Sequence, residues 1–289
     1  MLWPPKGGLP GEGNGRYAIA SNLPVYGTGD AGRRFYKAFR DKAILAGLAE
    51  NEVMKSFYSY SKDGEIKVVM GTHVDDLLHA SVPEYEYIMK KLLSEFEIKE
   101  TQEGEFRFCG REYKQFDDFS IKVTAKDNTE KTLPISYAIG NRTPEDKASI
   151  GECSQLRSVN GSLAWIARQC RAEKTYMCSK LQSVVNIAQV KHLEVANQLL
   201  QEMKDTSEQG LFFKSGVFRF HDAIMITISD ASWANDTKVV ETDEGAKLFP
   251  KRSQFGRITL LGQKKLWNED SGYVPVSYTH LTLPTNREV

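Results

Sequence analysis

Two adjacent carboxylates, Asp75 and Asp76, stand between two apolar runs of high strand propensity, residues 66–70 and 77–82. Aspartate tolerates turn conformations because its side chain bonds nearby backbone, so this spacing predicts a β-hairpin with both carboxylates at its tip. The two negative charges repel in water, and a divalent cation such as Mg²⁺ or Mn²⁺, bound by carboxylate oxygens, would relieve that repulsion. A solvated Asp-Asp turn without a ligand is the alternative for these two residues alone.

Cations and aromatic residues interleave in residues 33–42, upstream of the carboxylate pair. Such a segment can contact phosphates through Arg33, Arg34 and Lys37 while its rings stack on bases. A solvated helix face is the alternative.

The formal net charge is +0, from 38 Lys and Arg against 38 Asp and Glu. Any nucleic-acid binding must therefore depend on local patches rather than on the overall charge.

Periodicity divides the chain into helical and extended parts. Apolar residues at helical spacing over 85–96 predict an amphipathic helix directly after the hairpin, and three more helical stripes follow between 156 and 203. Residues 105–123 alternate with a period of two, and that period returns from Gly210, with 236–250 expected as an exposed charged loop. These patterns predict a β-hairpin backed by helices.

Composition narrows the class of protein. The four cysteines form no C-x-x-C pair and have no metal-ligand spacing, which favours a reduced compartment inside the cell. The sequence has neither an apolar run long enough for a membrane helix nor a secretory signal. We therefore expect a cytoplasmic protein without a membrane partner, with a nuclear stage left open.

Four segments together resemble the Pol polyprotein of copia-type long-terminal-repeat retrotransposons. Residues 71–78 are similar to its second reverse-transcriptase box, and residues 25–36 to its LYGLKQAPRAWY segment. Residues 155–165 resemble its YRSLVGSLLYL connection segment, and residues 228–236 resemble SDADWAGD at the start of its RNase H domain. All four segments stand in the family's order.

The resemblance implies an RNA-directed DNA polymerase with RNase H, acting on an RNA/DNA template-primer and dNTP by two-metal phosphoryl transfer. Asp75 and Asp76 match polymerase metal ligands, and Asp230 matches the first RNase H carboxylate. His73 stands where the family usually has tyrosine, so it would meet the nucleic acid at the primer end. The family's third polymerase aspartate and the partners of Asp230 have no match here, so we expect the isolated chain to be inactive. Other parts of the polyprotein are the expected partners.

The predicted fold class is α+β: a reverse-transcriptase palm, a helical connection region and a partial RNase H-like sheet. The expected divisions are an irregular lead-in at 1–22, a palm fragment at 23–124, a linker at 125–150, a helical connection at 151–207, an incomplete RNase H-like domain at 210–275 and a non-native tail at 276–289.

The tail is set apart because residues 276–285 resemble the translation of a sequencing-library adaptor. On this interpretation the natural chain is truncated at both ends. Two other functions stay open: a non-catalytic nucleic-acid-binding remnant of the same fold, and a metal-dependent cyclase or nuclease with a palm-like hairpin. The cationic helix and the Asp230 segment argue against the cyclase or nuclease, which needs neither.

Overall fold

The computed structural model describes the backbone of residues 31–216, 223–242, 245–263 and 273–284. Over these ranges the chain is α+β, and all three of its sheets are antiparallel. Met1–Thr101 and Gln102–Val289 are two compact units. The lead-in predicted at 1–22 and the first part of the segment at 25–36 lie outside the described residues.

Over its described residues, 31–101, the first unit is a four-stranded meander with two α-helices. The strands pair in the order β1-β2-β3-β4. In chain order its elements are α1 (Ala31–Ala46), β1 (Ala49–Glu50), β2 (Phe57–Lys62), β3 (Glu65–His73), β4 (Asp76–Ser81), a 3₁₀ turn (Pro83–Tyr85) and α2 (Glu86–Leu93). Helix α1 ends before Gly47, whose φ of 106° is the left-handed conformation that glycine adopts at helix C-termini.

The core of this unit lies between the two helices and the sheet. Helix α2 buries the apolar face that its periodicity predicts, through Ile88, Met89 and Leu92. Helix α1 contributes Phe39 and Ala43. The sheet residues that complete the cluster are Tyr58, Val68 and Met70. The amphipathic helix predicted after the hairpin is therefore confirmed.

The second unit joins a four-stranded sheet to a group of helices. The sheet has the order β5-β6-β7-β8. Its elements are β5 (Glu105–Phe108), β6 (Arg111–Gln115), β7 (Ile121–Thr124), α3 (Lys126–Lys131), α4 (Ile150–Cys170), α5 (Thr175–Val184), α6 (Val190–Asp205) and β8 (Leu211–Phe213). The first and third predicted helical stripes are confirmed as core, and the second in part: Leu181 and Ala188 are buried, Met177 packs on the same cluster and Val184 is half-buried. The buried residues of the other two stripes are Leu156, Val159, Leu163, Ile166, Leu193, Ala196, Leu200 and Met203.

Two expected divisions differ from the structure. The sequence predicts a palm fragment that runs to residue 124, yet along the chain the first compact unit ends at Thr101 and the second begins at Gln102. It also predicts that strand β8 opens a new domain, yet this strand pairs with β7 through Val123 and Leu211. The physical reason is that antiparallel pairing joins strands about ninety residues apart, which local periodicity does not reveal.

The segment expected as a linker, residues 125–150, packs against the helices. It contains α3, and beyond α3 the side chain of Ile135 is buried. The amide of Asn197 clamps that residue: Oδ1 accepts from the Ile135 N–H at 2.8 Å and Nδ2 donates to the Ile135 carbonyl at 2.9 Å. A polar, proline-containing sequence predicts an exposed segment, but a side-chain amide satisfies its backbone here.

A third sheet is formed by β9 (Ala223–Thr242), β10 (Gly245–Gln263) and β11 (Tyr273–Pro284), with β10 in the centre. The loop predicted at 236–250 is wrong for the described residues 236–242 and 245–250, because they continue the β9–β10 pairing, for example Val239 opposite Leu248. Charge suggests a loop there, whereas β-branched residues support a strand. Residues 276–284, assigned by sequence to a non-native tail, lie in β11.

None of the four cysteines, all of which lie in the described part of the chain, forms a disulfide bond. Burial raises the pKa of Cys170 and of Cys178 to about 11. Because the reactive form is the thiolate, these two act as small apolar core residues rather than as nucleophiles. Among the residues that the structure describes, no helix is long and apolar enough to cross a membrane.

Helix α4 begins at a capping box whose glutamate also forms a partly buried ion pair. Ser149 Oγ accepts from the Glu152 N–H at 3.2 Å, and the Ser149 N–H donates to Glu152 Oε2 at 2.7 Å. Arg142 donates to both carboxylate oxygens of Glu152, at 2.7 and 3.0 Å. The Arg142 guanidinium, with the Ser149 N–H, lowers the pKa of Glu152 to about 2.

Replacing Glu152 with Ala should lower the free energy of unfolding by about 2 kcal/mol near neutral pH, because a cap and a charged hydrogen bond are lost together. The folded pKa lies below the usual value of 4.5, so the stabilisation is present above that pH and disappears as pH falls towards about 2. Urea unfolding at about pH 7 and about pH 3 measures both effects. The exposed Glu194→Ala is the control, and a pH-independent difference between the two variants would contradict the assignment.

Candidate functional site

The carboxylate pair lies at a tight turn, as predicted. Strands β3 and β4 pair as far as His73 opposite Asp76, which leaves Val74 and Asp75 as a two-residue connection. Val74 has a φ of 58°. This is uncommon for a β-branched residue, but two-residue hairpin turns require positive φ. The backbone of this turn is therefore strained at Val74, although strands β3 and β4 on either side of it are regularly paired.

The three polar side chains of this turn face solvent. His73, Asp75 and Asp76 are all exposed, and His73 lies directly across the ladder from Asp76. Two carboxylates are hard oxygen donors that suit Mg²⁺ or Mn²⁺. Over the described part of the chain, no group of three or more His, Cys, Asp or Glu residues is placed to hold a metal ion. The donor set fits a cation partly and does not form a closed cage.

The cationic helix α1 divides its charges between two environments. Arg33, Arg34 and Lys37 are exposed, as a phosphate-contacting surface requires. Arg40 instead donates through Nε to Glu50 Oε2 at 3.0 Å, and Lys42 pairs with Glu95. The first three residues are therefore the candidate binding cations, while Arg40 and Lys42 are part of the fold.

Glu50 is the buried centre of a polar cluster that the sequence does not single out. Its side chain is only 7% exposed. Oε1 accepts from the Tyr36 hydroxyl at 2.6 Å and from the Ser56 N–H at 3.3 Å, while Lys55 Nζ lies 3.7 Å from Oε2. Burial opposes ionisation, but the hydrogen bonds from Tyr36, Ser56 and Arg40 outweigh it and hold the pKa of Glu50 below its usual value.

This cluster connects the cationic helix to the carboxylate turn. The Ser56 carbonyl accepts from the Thr72 N–H at 3.0 Å, two residues before Val74. Phe57 pairs with Gly71, so the loop 51–56 lies at the same end of the sheet as the turn.

The direction of α1 places its binding cations at that end too. The Leu48 N–H donates to the carbonyl of Ala43, near the C-terminal end of α1. Two residues later, Glu50 accepts from Arg40 and Tyr36, which lie nearer the N-terminal end of that helix. Strand β1 therefore runs back along the helix towards its N-terminal turn. One end of this compact unit consequently carries both groups: the two carboxylates and the cations Arg33, Arg34 and Lys37.

Asp230 lies in the other compact unit, and its position differs from the prediction. The sequence places it at the end of an apolar strand, but β9 continues for twelve more residues to Thr242. Asp230 is exposed and stands opposite Gly256 on β10. Near Asp230, the hydroxyl of the buried Thr259 on β10 lies 3.2 Å from that of Thr227 on β9. Among the described residues no carboxylate cluster includes Asp230.

One sequence signal could have revealed the Glu50 cluster. Tyr36 and Arg40 are four residues apart on α1, so they share a helix face and can converge on one acceptor. The acceptor that completes the cluster is Glu50, on the short strand that follows the helix.

No family model, curated protein or solved structure matches this chain.

Replacing Glu50 with Gln should cost about 2 kcal/mol of unfolding free energy. The Gln carbonyl can still accept from Tyr36 and Ser56, but its NH₂ group would face the donors of Arg40 and Lys55. Glu52→Gln, an exposed change two residues away, should stay within about 0.5 kcal/mol. Urea unfolding compares the two variants. Equal midpoints would show that the buried carboxylate does not hold α1 to the sheet.

Proposed function

We propose that this chain is a fragment of a copia-type retrotransposon RNA-directed DNA polymerase with RNase H, inactive as an isolated chain. The observation that carries the proposal is the two-carboxylate turn, which lies at the same end of one compact unit as the exposed cations of α1. An antiparallel hairpin backed by α1 and α2 supports a palm assignment for this unit.

Mg²⁺ or Mn²⁺ would be held by the carboxylate oxygens of Asp75 and Asp76. Bound divalent ions supply a more acidic nucleophile and neutralise charge on the phosphate in phosphoryl transfer. Two carboxylates at the turn suit weak binding of one cation, and over the described part of the chain no group of three or more His, Cys, Asp or Glu residues would hold a second ion. This part of the chain therefore supports cation binding rather than the complete two-ion site of a polymerase.

Arg33, Arg34 and Lys37 would hold the template-primer through backbone phosphates. All three are exposed on the first two turns of α1, and the Glu50 cluster fixes the helix that carries them. Phosphate contacts position a duplex without reading its sequence. His73, exposed across from Asp76, would then lie beside the primer end.

The RNase H part of the proposal depends on Asp230 alone. Its exposed position on a paired strand is compatible with a nuclease carboxylate, but no group of three or more potential metal ligands among the described residues includes it. The rival function, a non-catalytic nucleic-acid-binding remnant, shares α1 and predicts no metal at the carboxylate turn. Cation binding at that turn therefore separates the two functions.

Mn²⁺ should broaden the amide resonances of residues 73–77 in an NMR titration, because two carboxylates attract the paramagnetic ion. Asp75→Asn combined with Asp76→Asn should remove the broadening. The β2–β3 turn provides the comparison: it carries Asp63 and, at the start of β3, Glu65, whose carboxylate is paired with Lys67. Equal broadening at both turns, or none at 73–77, would favour the non-catalytic remnant.

Binding of a duplex should depend on salt through the α1 cations. Replacing Arg33, Arg34 and Lys37 with Ala should flatten the plot of log K against log[salt] by about 0.9 for each phosphate that the protein no longer neutralises. A control that removes the same charge elsewhere in this unit, Lys62, Lys90 and Lys99 to Ala, should leave the slope nearly unchanged. Equal slopes for the two triple variants would remove α1 from the binding surface.

A further inference from the structure

Helix α6 begins against the backbone of an earlier segment, residues 144–148. The N–H of Val190, the first residue of the helix, donates to the Asp146 carbonyl at 2.9 Å. The next N–H, that of Lys191, donates to the Pro144 carbonyl at 3.0 Å. Because N–H groups in the first turn have no partner inside a helix, these two bonds tie the start of α6 to the segment that leads into α4.

A histidine completes this helix start. The N–H of Gln189, the residue just before α6, donates to Nδ1 of His192 at 2.9 Å, and the His192 N–H donates to the Gln189 carbonyl at 2.9 Å. The first bond is the one that glutamate or glutamine makes at the third helical position of a capping box. A glutamine keeps its acceptor oxygen at any pH, whereas an imidazole nitrogen accepts only while it carries no proton.

The bond to Gln189 defines the protonation state of the His192 ring. With Nδ1 as the acceptor, the neutral ring carries its proton on Nε2. A second proton, on Nδ1, would turn the acceptor into a donor that faces the Gln189 N–H, and would place a positive charge at the positive end of the α6 dipole.

Both effects oppose protonation of His192 in the folded chain. The charge of histidine changes between about pH 5 and about pH 8. In that range the unfolded chain takes up the proton more readily than the folded one, so the stabilisation by this bond is present at the upper end and is lost as pH falls.

The surrounding charges do not reverse this preference. His192 is half-buried and lines a cavity of about 350 Å³ between α5 and α6, together with the cation Lys180. Glu145 and Glu194 are exposed, so water and salt screen them, and Asp146 Oδ2 accepts from the Thr143 N–H at 2.7 Å. The charged residues on the described elements that pack here are Lys180 on α5, Glu145, Asp146 and Lys147 on the earlier segment, Lys191 and Glu194 on α6, and the paired Arg142 and Glu152 at the start of α4.

We propose that His192 is a pH-sensitive lock on the start of α6: uncharged, it closes the helix onto residues 144–148, and protonated below about pH 6 it releases them. The released part is the first turn of the helix, with the bonds of Val190 and Lys191 to the earlier segment. The rest of α6 stays in place, because its apolar face is buried in the helical core. The opening is therefore local.

The start of α4 provides an internal reference within the same compact unit. Its capping box uses Glu152 as the acceptor, and the pKa of that carboxyl is about 2. The carboxylate therefore stays ionised through the range in which His192 gains its proton. The Glu152 and Cys153 N–H groups, which donate to Ser149, report on this second helix start.

Amide hydrogen exchange followed by NMR at about pH 7.5 and about pH 5.5 tests the lock, with each rate divided by the intrinsic rate at that pH. The protection of the Gln189, Val190 and Lys191 amides should fall by about fivefold or more at the lower pH, as expected for the loss of about one hydrogen bond. The protection of the Glu152 and Cys153 amides should not change.

His192→Gln is the matched variant, because glutamine supplies an acceptor that does not titrate. Its protection at the α6 start should equal the wild-type value at about pH 7.5 and remain there at about pH 5.5. His192→Ala should show the low protection at both pH values. The wild-type ring should be the Nε2–H tautomer at the higher pH, which nitrogen chemical shifts report directly.

An equal fall in the wild type and in His192→Gln would overturn the proposal, as would constant protection in the wild type or an Nδ1–H tautomer. An equal loss at the start of α4 would also overturn it, because acid would then open more than one helix start. If His192→Ala does not fold, the comparison of the wild type with His192→Gln decides the outcome by itself.

Discussion

The first compact unit depends on one buried carboxylate, Glu50. Removing this group from water is costly, and that cost is offset only because a hydroxyl, a guanidinium and a backbone N–H converge on it from α1 and from the loop before β2. The arrangement ties the cationic helix to the sheet edge that leads into the carboxylate turn. Without it, the exposed cations and Asp75 and Asp76 would be separate surface features.

The energetically unfavourable features of this unit are concentrated at one end of the sheet. Val74 occupies a strained conformation, and two negative charges are adjacent in the turn that it forms. The opposite β2–β3 turn is relaxed by comparison, since Asp63 and Gly64 are residues suited to positive φ. The contrast within one sheet supports a binding role for the strained turn, because a purely structural turn would have no need for valine there.

Some of this architecture follows directly from the sequence. The hairpin around Asp75 and the buried face of α2 are predictable because their signals are local: a turn residue between strand formers and a repeat of 3.6 residues. The β7–β8 pairing is not, since Val123 and Leu211 are far apart in the chain. The Glu50 cluster escapes prediction for a related reason: the spacing of Tyr36 and Arg40 shows that they can share one acceptor, but nothing local in the sequence identifies Glu50 as that acceptor. The loop predicted at 236–250 is wrong because charge alone does not exclude a strand, and the backbone pairing of a long hairpin accepts charged residues.

The proposed function requires that the carboxylate turn and the α1 cations form one nucleic-acid surface that includes a metal ion. The most direct measurement is the affinity for a template-primer duplex with and without Mn²⁺, in the wild-type chain and in the Asp75→Asn, Asp76→Asn variant. We predict that Mn²⁺ tightens binding in the wild type and has no such effect in the variant, because an ion held at the turn would bridge protein and phosphate. The same Mn²⁺ dependence in both proteins, or none in either, would contradict the proposed function.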